Sequence, residues 1–117
     1  MCYIYCITNT INGKKYIGKT SNSVEKRFNE HLHDCHRRKM EKRPLYSAIN
    51  KYGKEHFIVE TIEKCPKEIV NEREIYWIDF YNTYKNGYNA TRGGEGKFKI
   101  DEDIILELYG KYKKIKR

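Results

Sequence analysis

Glu74 is an acidic residue in a position where an apolar one is expected. The spacing of apolar residues predicts a helix over residues 66–81. The neighbours of Glu74 on that helix, one turn before and after it, are Val70, Trp77 and Ile78. A carboxylate in such a stripe is partly buried and needs a partner, because an unpaired buried charge is costly. A metal ion or an arginine would suit, and a structural ion pair with Arg73 or Lys67 is the alternative.

Several other side chains, together with this carboxylate, have the chemistry that phosphodiester hydrolysis needs. The reaction requires an activated water, relief of charge at the phosphate and help for the leaving oxygen. A carboxylate-bound Mg²⁺ relieves charge and positions water, and an arginine offers phosphate a planar fork of donors. A tyrosine hydroxyl becomes a useful base only when a cation lowers its pKa. The set is Tyr5, Tyr16, Arg27, His31 and Glu74. Each member alone is more simply explained by packing, so the set depends on the fold bringing it together.

Two strands joined by a tight turn are predicted at the start of the chain. Residues 3–8 and 15–20 are rich in β-branched and aromatic side chains. Asn12-Gly13 between them is typical of a two-residue type I′ turn. With such a turn, the numbers of facing residues sum to 25.

That pairing places both tyrosines on one face of the hairpin. Tyr5 faces Thr20 and Tyr16 faces Asn9, and faces alternate along each strand. Gly18 lies diagonally across from Tyr5, where its missing side chain leaves room for a ligand or another backbone.

The remaining elements complete an α+β fold. A helix of about fourteen residues is expected to begin with a capping box formed by Asn22 and Glu25, and it places Arg27 and His31 on one edge of its apolar stripe. A short helix runs from Pro44 to just before Gly53, a third strand covers residues 56–62, and the 66–81 helix follows. The order ββααβα predicts a small three-stranded antiparallel sheet flanked by helices.

The charge of the chain favours a polyanionic partner. The formal net charge is +8 over 117 residues. Residues 26–54 hold nine Lys and Arg against three Asp and Glu. A solvated basic surface is the simpler alternative. A membrane surface is disfavoured because no apolar anchor accompanies the charge.

The cysteines and histidines give no strong metal signal. The four cysteines form no Cys-x-x-Cys pair, and no signal peptide or membrane-length segment is found, so free thiols in a reducing cytoplasm are expected. A zinc site on the run His31, His33, Cys35 and His36 is disfavoured, because these side chains point around the helix axis.

The sequence resembles the GIY-YIG nuclease family through an ordered series of motifs spanning residues 2–94. The defining pair appears as Tyr3-Ile4-Tyr5 and Tyr16-Ile17-Gly18, and the family usually has Gly at the first of these positions. The series continues with Glu25-Lys26-Arg27-Phe28 and His31, Ala48-Ile49-Asn50-Lys51-Tyr52-Gly53, Glu72-Arg73-Glu74-Ile75-Tyr76-Trp77-Ile78, and Asn86-Gly87-Tyr88-Asn89.

The resemblance implies a role for each matched position. The family's first tyrosine falls on Tyr5, a water activator, and the second on Tyr16, which orients water or phosphate; either could be the base. The arginine falls on Arg27, at the scissile phosphate, and the histidine on His31, a proton relay or phosphate contact. The metal carboxylate falls on Glu74. The late asparagine, Asn89, fixes the site or binds phosphate. A single Mg²⁺ or Mn²⁺ is implied.

The resemblance also implies a function and a domain division. Residues 1–94 would form the catalytic domain of a DNA endonuclease of the homing or mobile-element kind, acting on double-stranded DNA in a phage or bacterial host cell. Residues 95–117 would be a linker or the start of a DNA-targeting module, predicted to contain a helix over residues 101–109. A repair-type or restriction-type nuclease and a catalytically silent nucleic-acid-binding module are the alternatives.

Overall fold

The elements follow the predicted order, with three short additions: helix α4 and two 3₁₀ turns. The computed structural model describes residues 1–37 and 42–94, so the predicted tail and its helix lie outside the described residues. The strands are β1 (Cys2–Asn9), β2 (Lys15–Thr20) and β3 (Phe57–Cys65), and the helices are α1 (Val24–Asp34), α2 (Pro44–Tyr52), α3 (Val70–Tyr81) and α4 (Thr83–Asn86). Turns of 3₁₀ helix at Lys54–His56 and Lys67–Ile69 precede β3 and α3.

The sheet is antiparallel with the strand order β2-β1-β3, and both of its faces are covered. Tyr5 and Ile7 of β1 pack with the buried residues of α1 and α2. Ile4 and Cys6 point to the other side and pack against α3. The α+β prediction, with a three-stranded antiparallel sheet between helices, is confirmed. Alternate residues of β1 therefore enter two separate cores, so a one-residue slip would exchange the contents of both.

The pairing predicted for the hairpin is wrong by two residues, although the faces are right. Tyr5 pairs with Gly18, and Ile7 pairs with Tyr16. The loop spans residues 10–13, closed by the amide of Gly13 donating to Asn9 O at 2.8 Å. Gly13 has φ of 77°, but Asn12 does not have a positive φ, so the type I′ turn does not form.

Gly18 allows a close approach by Tyr5 rather than leaving an empty space. A Cβ placed on Gly18 would overlap the Cζ and hydroxyl of Tyr5. The tyrosine ring thus lies across the backbone of β2 and fills the space that was expected for a ligand. The alternative of another backbone is equally wrong, because a side chain is what occupies it.

The helices differ from prediction mainly at their beginnings. The cap of α1 is Ser23, whose Oγ accepts from Lys26 N at 3.1 Å, and the helix has eleven residues. The capping box predicted from Asn22 and Glu25 is therefore wrong, because the N-cap lies one residue later and the residue three positions on is Lys26. As predicted, Pro44 opens α2 and Gly53 caps its end, with φ of 97°. Helix α3 begins at Val70 because the chain after Pro66 first makes a 3₁₀ turn.

All four cysteines are free, as predicted, and all four are buried. Within residues 1–37 and 42–94, no helix has the length and apolar character needed to cross a membrane.

Candidate active site

A cleft of about 700 Å³ opens at the β2 edge of the sheet. Five of the six predicted site residues line it, namely Tyr16, Arg27, His31, Glu74 and Asn89. They come from β2, α1, α3 and the segment after α4. The sixth, Tyr5, is 1% exposed and lies behind the cleft wall, in contact with His31. Because Tyr16 comes from one face of the hairpin and Glu74 from the helix on the other, the cleft wraps around the strand edge.

His31 is held between two tyrosine hydroxyls. Its Nε2 is 2.8 Å from the hydroxyl of Tyr5, and its Nδ1 is 2.8 Å from the hydroxyl of Tyr46. Burial, together with the positive charges of Arg27 and Arg43, lowers the pKa of His31 to about 3. The imidazole is therefore neutral at physiological pH, with one donor and one acceptor nitrogen.

The two tyrosines of the defining pair meet around this histidine. The ring of Tyr16 has its centroid 6.3 Å from that of Tyr5 and 5.5 Å from that of His31. Burial and, next, the charge of Glu74 raise the pKa of Tyr16 to about 12, and burial raises the pKa of Tyr5 further above its usual range. Arg27 lowers the pKa of both. Both hydroxyls are protonated at neutral pH, so either needs an additional cation to act as a base.

Arg27 is the cleft cation best suited to bind a phosphate. Its Nη1 lies 3.1 Å from Glu30 Oε1, and both side chains of this pair are substantially exposed. An exposed pair of this kind is worth only about 0–1 kcal/mol. The positive charge of the guanidinium also acts on the Tyr5 hydroxyl and lowers its pKa. Arg27 can therefore leave Glu30 for a phosphate at little cost.

Glu74 is buried, as predicted, but its protein partner is different from those considered. Its Oε1 lies 3.2 Å from Lys19 Nζ and accepts from Gly94 N at 3.0 Å. Arg73 instead points to the other side of α3, where its Nε donates to Glu63 at 2.9 Å in a fully buried pair. Among the described residues, Glu74 is therefore paired with Lys19 rather than with Arg73 or Lys67.

Asn89 fastens the site to β2. Its Oδ1 accepts from Ile17 N and its Nδ2 donates to Ile17 O, both at 2.8 Å. These bonds give the edge strand β2 a partner for backbone groups on its open side. Of the two roles considered for Asn89, fixing the site is the one this geometry supports.

Three further residues of the cleft were not found from the sequence. Lys19 could have been found from the sequence, because strand alternation places it on the same face of the hairpin as Ile17, which packs against α3. No sequence signal marks Tyr46 and Arg43, at the start of α2, as residues of the cleft. A helical tyrosine or a basic loop residue is ordinarily part of a surface. Their place in the cleft depends on how α2 packs beside α1.

The cleft offers one carboxylate, Glu74, a donor of the kind that a hard divalent cation prefers. Of the residues in the described ranges, no group of three or more His, Cys, Asp or Glu could hold a metal ion. His33 and His36 are exposed while His31 and Cys35 are buried, so the zinc alternative stays disfavoured. Mg²⁺ binds proteins through one or two carboxylates and completes its shell with waters and substrate phosphates. Glu74, facing the cleft, suits that kind of binding.

The cleft is surrounded by the hairpin that carries the two tyrosines, by α1 with Arg27 and by α3 with Glu74. This arrangement is that of a nuclease-like catalytic domain. The family model described as the GIY-YIG catalytic domain matches residues 1–89, and the chain belongs to this family.

Phage endonucleases are among its relatives. The chain is 36% identical over 88 residues to "Intron-associated endonuclease 1" of Enterobacteria phage T4, a match covering 74% of this chain and 35% of the relative. It is 31% identical over 109 residues to "Putative endonuclease segE" of the same phage, covering 91% and 48%. The chain thus spans about a third to a half of the length of these relatives.

The fold matches solved structures of one such enzyme. The catalytic domain of intron endonuclease I-TevI in a mutant form is similar with a TM-score of 0.70 and 34% identity, over 79% of this chain and 96% of that one. A second structure, of the catalytic domain of homing endonuclease I-TevI, gives a TM-score of 0.68 and 33% identity, over 78% and 99%.

Proposed function

We propose that this chain is a metal-dependent endonuclease that cuts phosphodiester bonds in double-stranded DNA, of the kind found in mobile genetic elements. The observation that carries the proposal is the convergence of Arg27, Tyr16 and a buried carboxylate on one cleft. Family membership and relatives named as intron and homing endonucleases support it. The net charge of +8 suits a DNA partner.

A divalent cation completes the proposed site. GIY-YIG nucleases in general depend on one, and we propose Mg²⁺ or Mn²⁺ held by Glu74. When bound there it supplies charge relief at the phosphate and a cation beside the tyrosines. Lys19 and the Gly94 amide hold the carboxylate oriented towards the cleft.

The other residues hold the phosphate and the water. Arg27 donates its fork of N–H groups to the scissile phosphate. Tyr16, half-buried and lining the cleft, contacts the attacking water, whereas Tyr5 acts from behind the wall through His31 and Arg27. This assignment gives Tyr16 the stronger claim as the base, since Tyr5 does not line the cleft. Asn89 keeps β2, and with it Tyr16, in place.

Removal of Glu74 should separate cutting from binding. We expect the purified chain to cut supercoiled plasmid with Mg²⁺ and not with EDTA, and Glu74→Ala to lower the rate by about 100-fold or more, because the metal and its charge relief are lost. DNA affinity, measured in EDTA by fluorescence anisotropy, should stay within about twofold.

Glu72→Ala is the matched control, because Glu72 lies on the same helix and outside the cleft. It should cut like the wild type. Bound but uncut plasmid under all metal conditions, also after fusion to a separate DNA-binding domain, would favour the silent binding module instead.

A further inference from the structure

Tyr46 presents a buried hydroxyl that the proposed chemistry leaves unused. It is the third residue of α2 and is 1% exposed. Its hydroxyl lies 2.8 Å from His31 Nδ1, and its ring centroid lies 5.6 Å from that of the imidazole. A buried hydroxyl on a site histidine has the place of the third group in a catalytic triad, the one that orients the base.

The neutral imidazole can face its two tyrosines in only two ways. With the proton on Nδ1, His31 donates to Tyr46 and accepts from Tyr5. With the proton on Nε2, it donates to Tyr5 and accepts from Tyr46. The two tautomers therefore point the hydroxyl proton of Tyr5 in opposite directions.

Arg27 favours the first arrangement. Its guanidinium is positively charged and has only donors, and its charge lowers the pKa of Tyr5, so the Tyr5 oxygen turns its lone pairs rather than its proton towards Arg27. The proton of Tyr5 then points to the remaining acceptor, His31 Nε2, at 2.8 Å. The ring proton must lie on Nδ1 and be accepted by Tyr46. The two hydrogen bonds from Tyr5 through His31 to Tyr46 then run in one direction, which strengthens each of them.

We propose that Tyr46 is a positioning residue that fixes the Nδ1–H tautomer of His31 and, through His31, keeps the oxygen of Tyr5 turned towards the charge of Arg27, which takes the phosphate. Without an acceptor at Tyr46, the buried Nδ1–H loses its only partner, and the ring gains by moving its proton to Nε2 and donating to Tyr5. The Tyr5 proton then turns towards the guanidinium of Arg27, where donor meets donor. The consequence for cleavage rests on the proposed nuclease function, whereas the tautomer of His31 does not.

Tyr46→Phe tests the tautomer directly, since it removes one oxygen and keeps the ring. In long-range ¹H–¹⁵N spectra of the metal-free chain, with His31 assigned by comparison with His31→Gln, the wild type should show a protonated Nδ1 and a bare Nε2. Tyr46→Phe should move the proton to Nε2. Tyr52→Phe, on the same helix and outside the cleft, should leave the wild-type pattern. A wild-type His31 protonated on Nε2, or no change in Tyr46→Phe, would overturn the proposal.

Cleavage kinetics test the consequence. Tyr46→Phe should lower kcat by about 10- to 100-fold, the usual effect of losing a group that orients a site residue, with KM within about twofold. In a His31→Ala background the same substitution should change kcat by less than about twofold, because its intermediary is gone. An equal loss in both backgrounds would mean a merely structural role. If the chain cuts no DNA at all, the nuclease proposal fails while the spectra still decide the tautomer.

Discussion

At the scale of single residues, the candidate site is built from charges and hydroxyls whose ordinary behaviour is suppressed by burial. The pKa of His31 is lowered and those of Tyr5 and Tyr46 are raised, in each case first by burial. The free chain therefore keeps this cluster uncharged at neutral pH, with Arg27 as the cation beside it. In the proposed function, this site would gain its reactivity when a phosphate and a divalent cation change the local field.

The neutral state of His31 should make the domain sensitive to acid. The folded pKa of about 3 lies below the ordinary value of 6.5, so the unfolded chain binds the proton more readily. The His31 contribution is fully present above about pH 6.5 and is lost as pH falls towards 3. Between pH 7 and pH 5 we expect His31 to remove about 2 kcal/mol of unfolding free energy.

Urea unfolding at the two pH values measures this loss. His31→Gln cannot gain the proton, so its stability should change less over the same range, and the difference between the two chains isolates His31 from other groups. His33→Gln, an exposed position on the same helix, is the control and should behave like the wild type. Parallel pH dependences for wild type and His31→Gln would contradict the buried neutral assignment.

At the scale of elements, strands and helices follow from local pattern, but their exact contacts do not. The alternation of β1 and β2 correctly put Tyr5, Tyr16 and Gly18 on one face, because parity survives a two-residue shift in pairing. The shift itself depends on the loop, where Asn12 keeps a negative φ and only Gly13 adopts a positive one. The burial of Glu74 was predicted by helical spacing, whereas its partner Lys19 comes from another element and required the packing of α3 on β2.

Contacts between elements also explain why other pairs of interacting residues were not predicted from the sequence. The pair of Glu63 and Arg73 joins β3 to α3 with both side chains buried, yet each residue reads in sequence as an ordinary surface charge. Tyr46 reaches His31 across the packing of two helices. Helical spacing can say which way a side chain points on its own helix, but not which neighbour it meets.

The close crossing of Tyr5 over Gly18 should make the hairpin intolerant of any side chain there. Gly18→Ala places a Cβ on the Tyr5 ring, which is fully buried and cannot move away freely. We expect a loss of about 1–3 kcal/mol in unfolding free energy, as is usual for overpacking, and a large loss of cleavage because Tyr5 leaves His31.

Gly13→Ala is the control for this substitution. It meets no atom within 4 Å but has φ of 77°, so it should cost about 1 kcal/mol and leave cleavage intact. Denaturant unfolding and plasmid cutting measure both effects. A Gly18→Ala chain as stable and active as the wild type would show that Tyr5 does not need its present position.

At the scale of the whole molecule, both faces of the sheet are covered, so the candidate site lies at an edge of the sheet. The cleft takes Tyr16 from one side of the hairpin and Glu74 from the other, and Tyr46 of α2 and Arg43 just before α2 complete it. The double-stranded DNA proposed as the substrate can approach such an edge without entering the core. The positive charge around it then acts on the phosphates.

That geometry predicts that DNA binding weakens steeply as the salt concentration rises, and that basic residues at the cleft contribute to this dependence. Each Lys or Arg that neutralises a phosphate releases counterions, so the logarithm of the binding constant falls linearly with the logarithm of salt concentration. Arg43→Ala, an exposed residue at the cleft, should make that slope shallower by about 1. Lys64→Ala, an exposed position on β3 away from the cleft, should leave it unchanged. Anisotropy titrations in EDTA from about 50 to 200 mM salt measure both. A flat response, or equal changes in the two variants, would place the DNA elsewhere than at this edge.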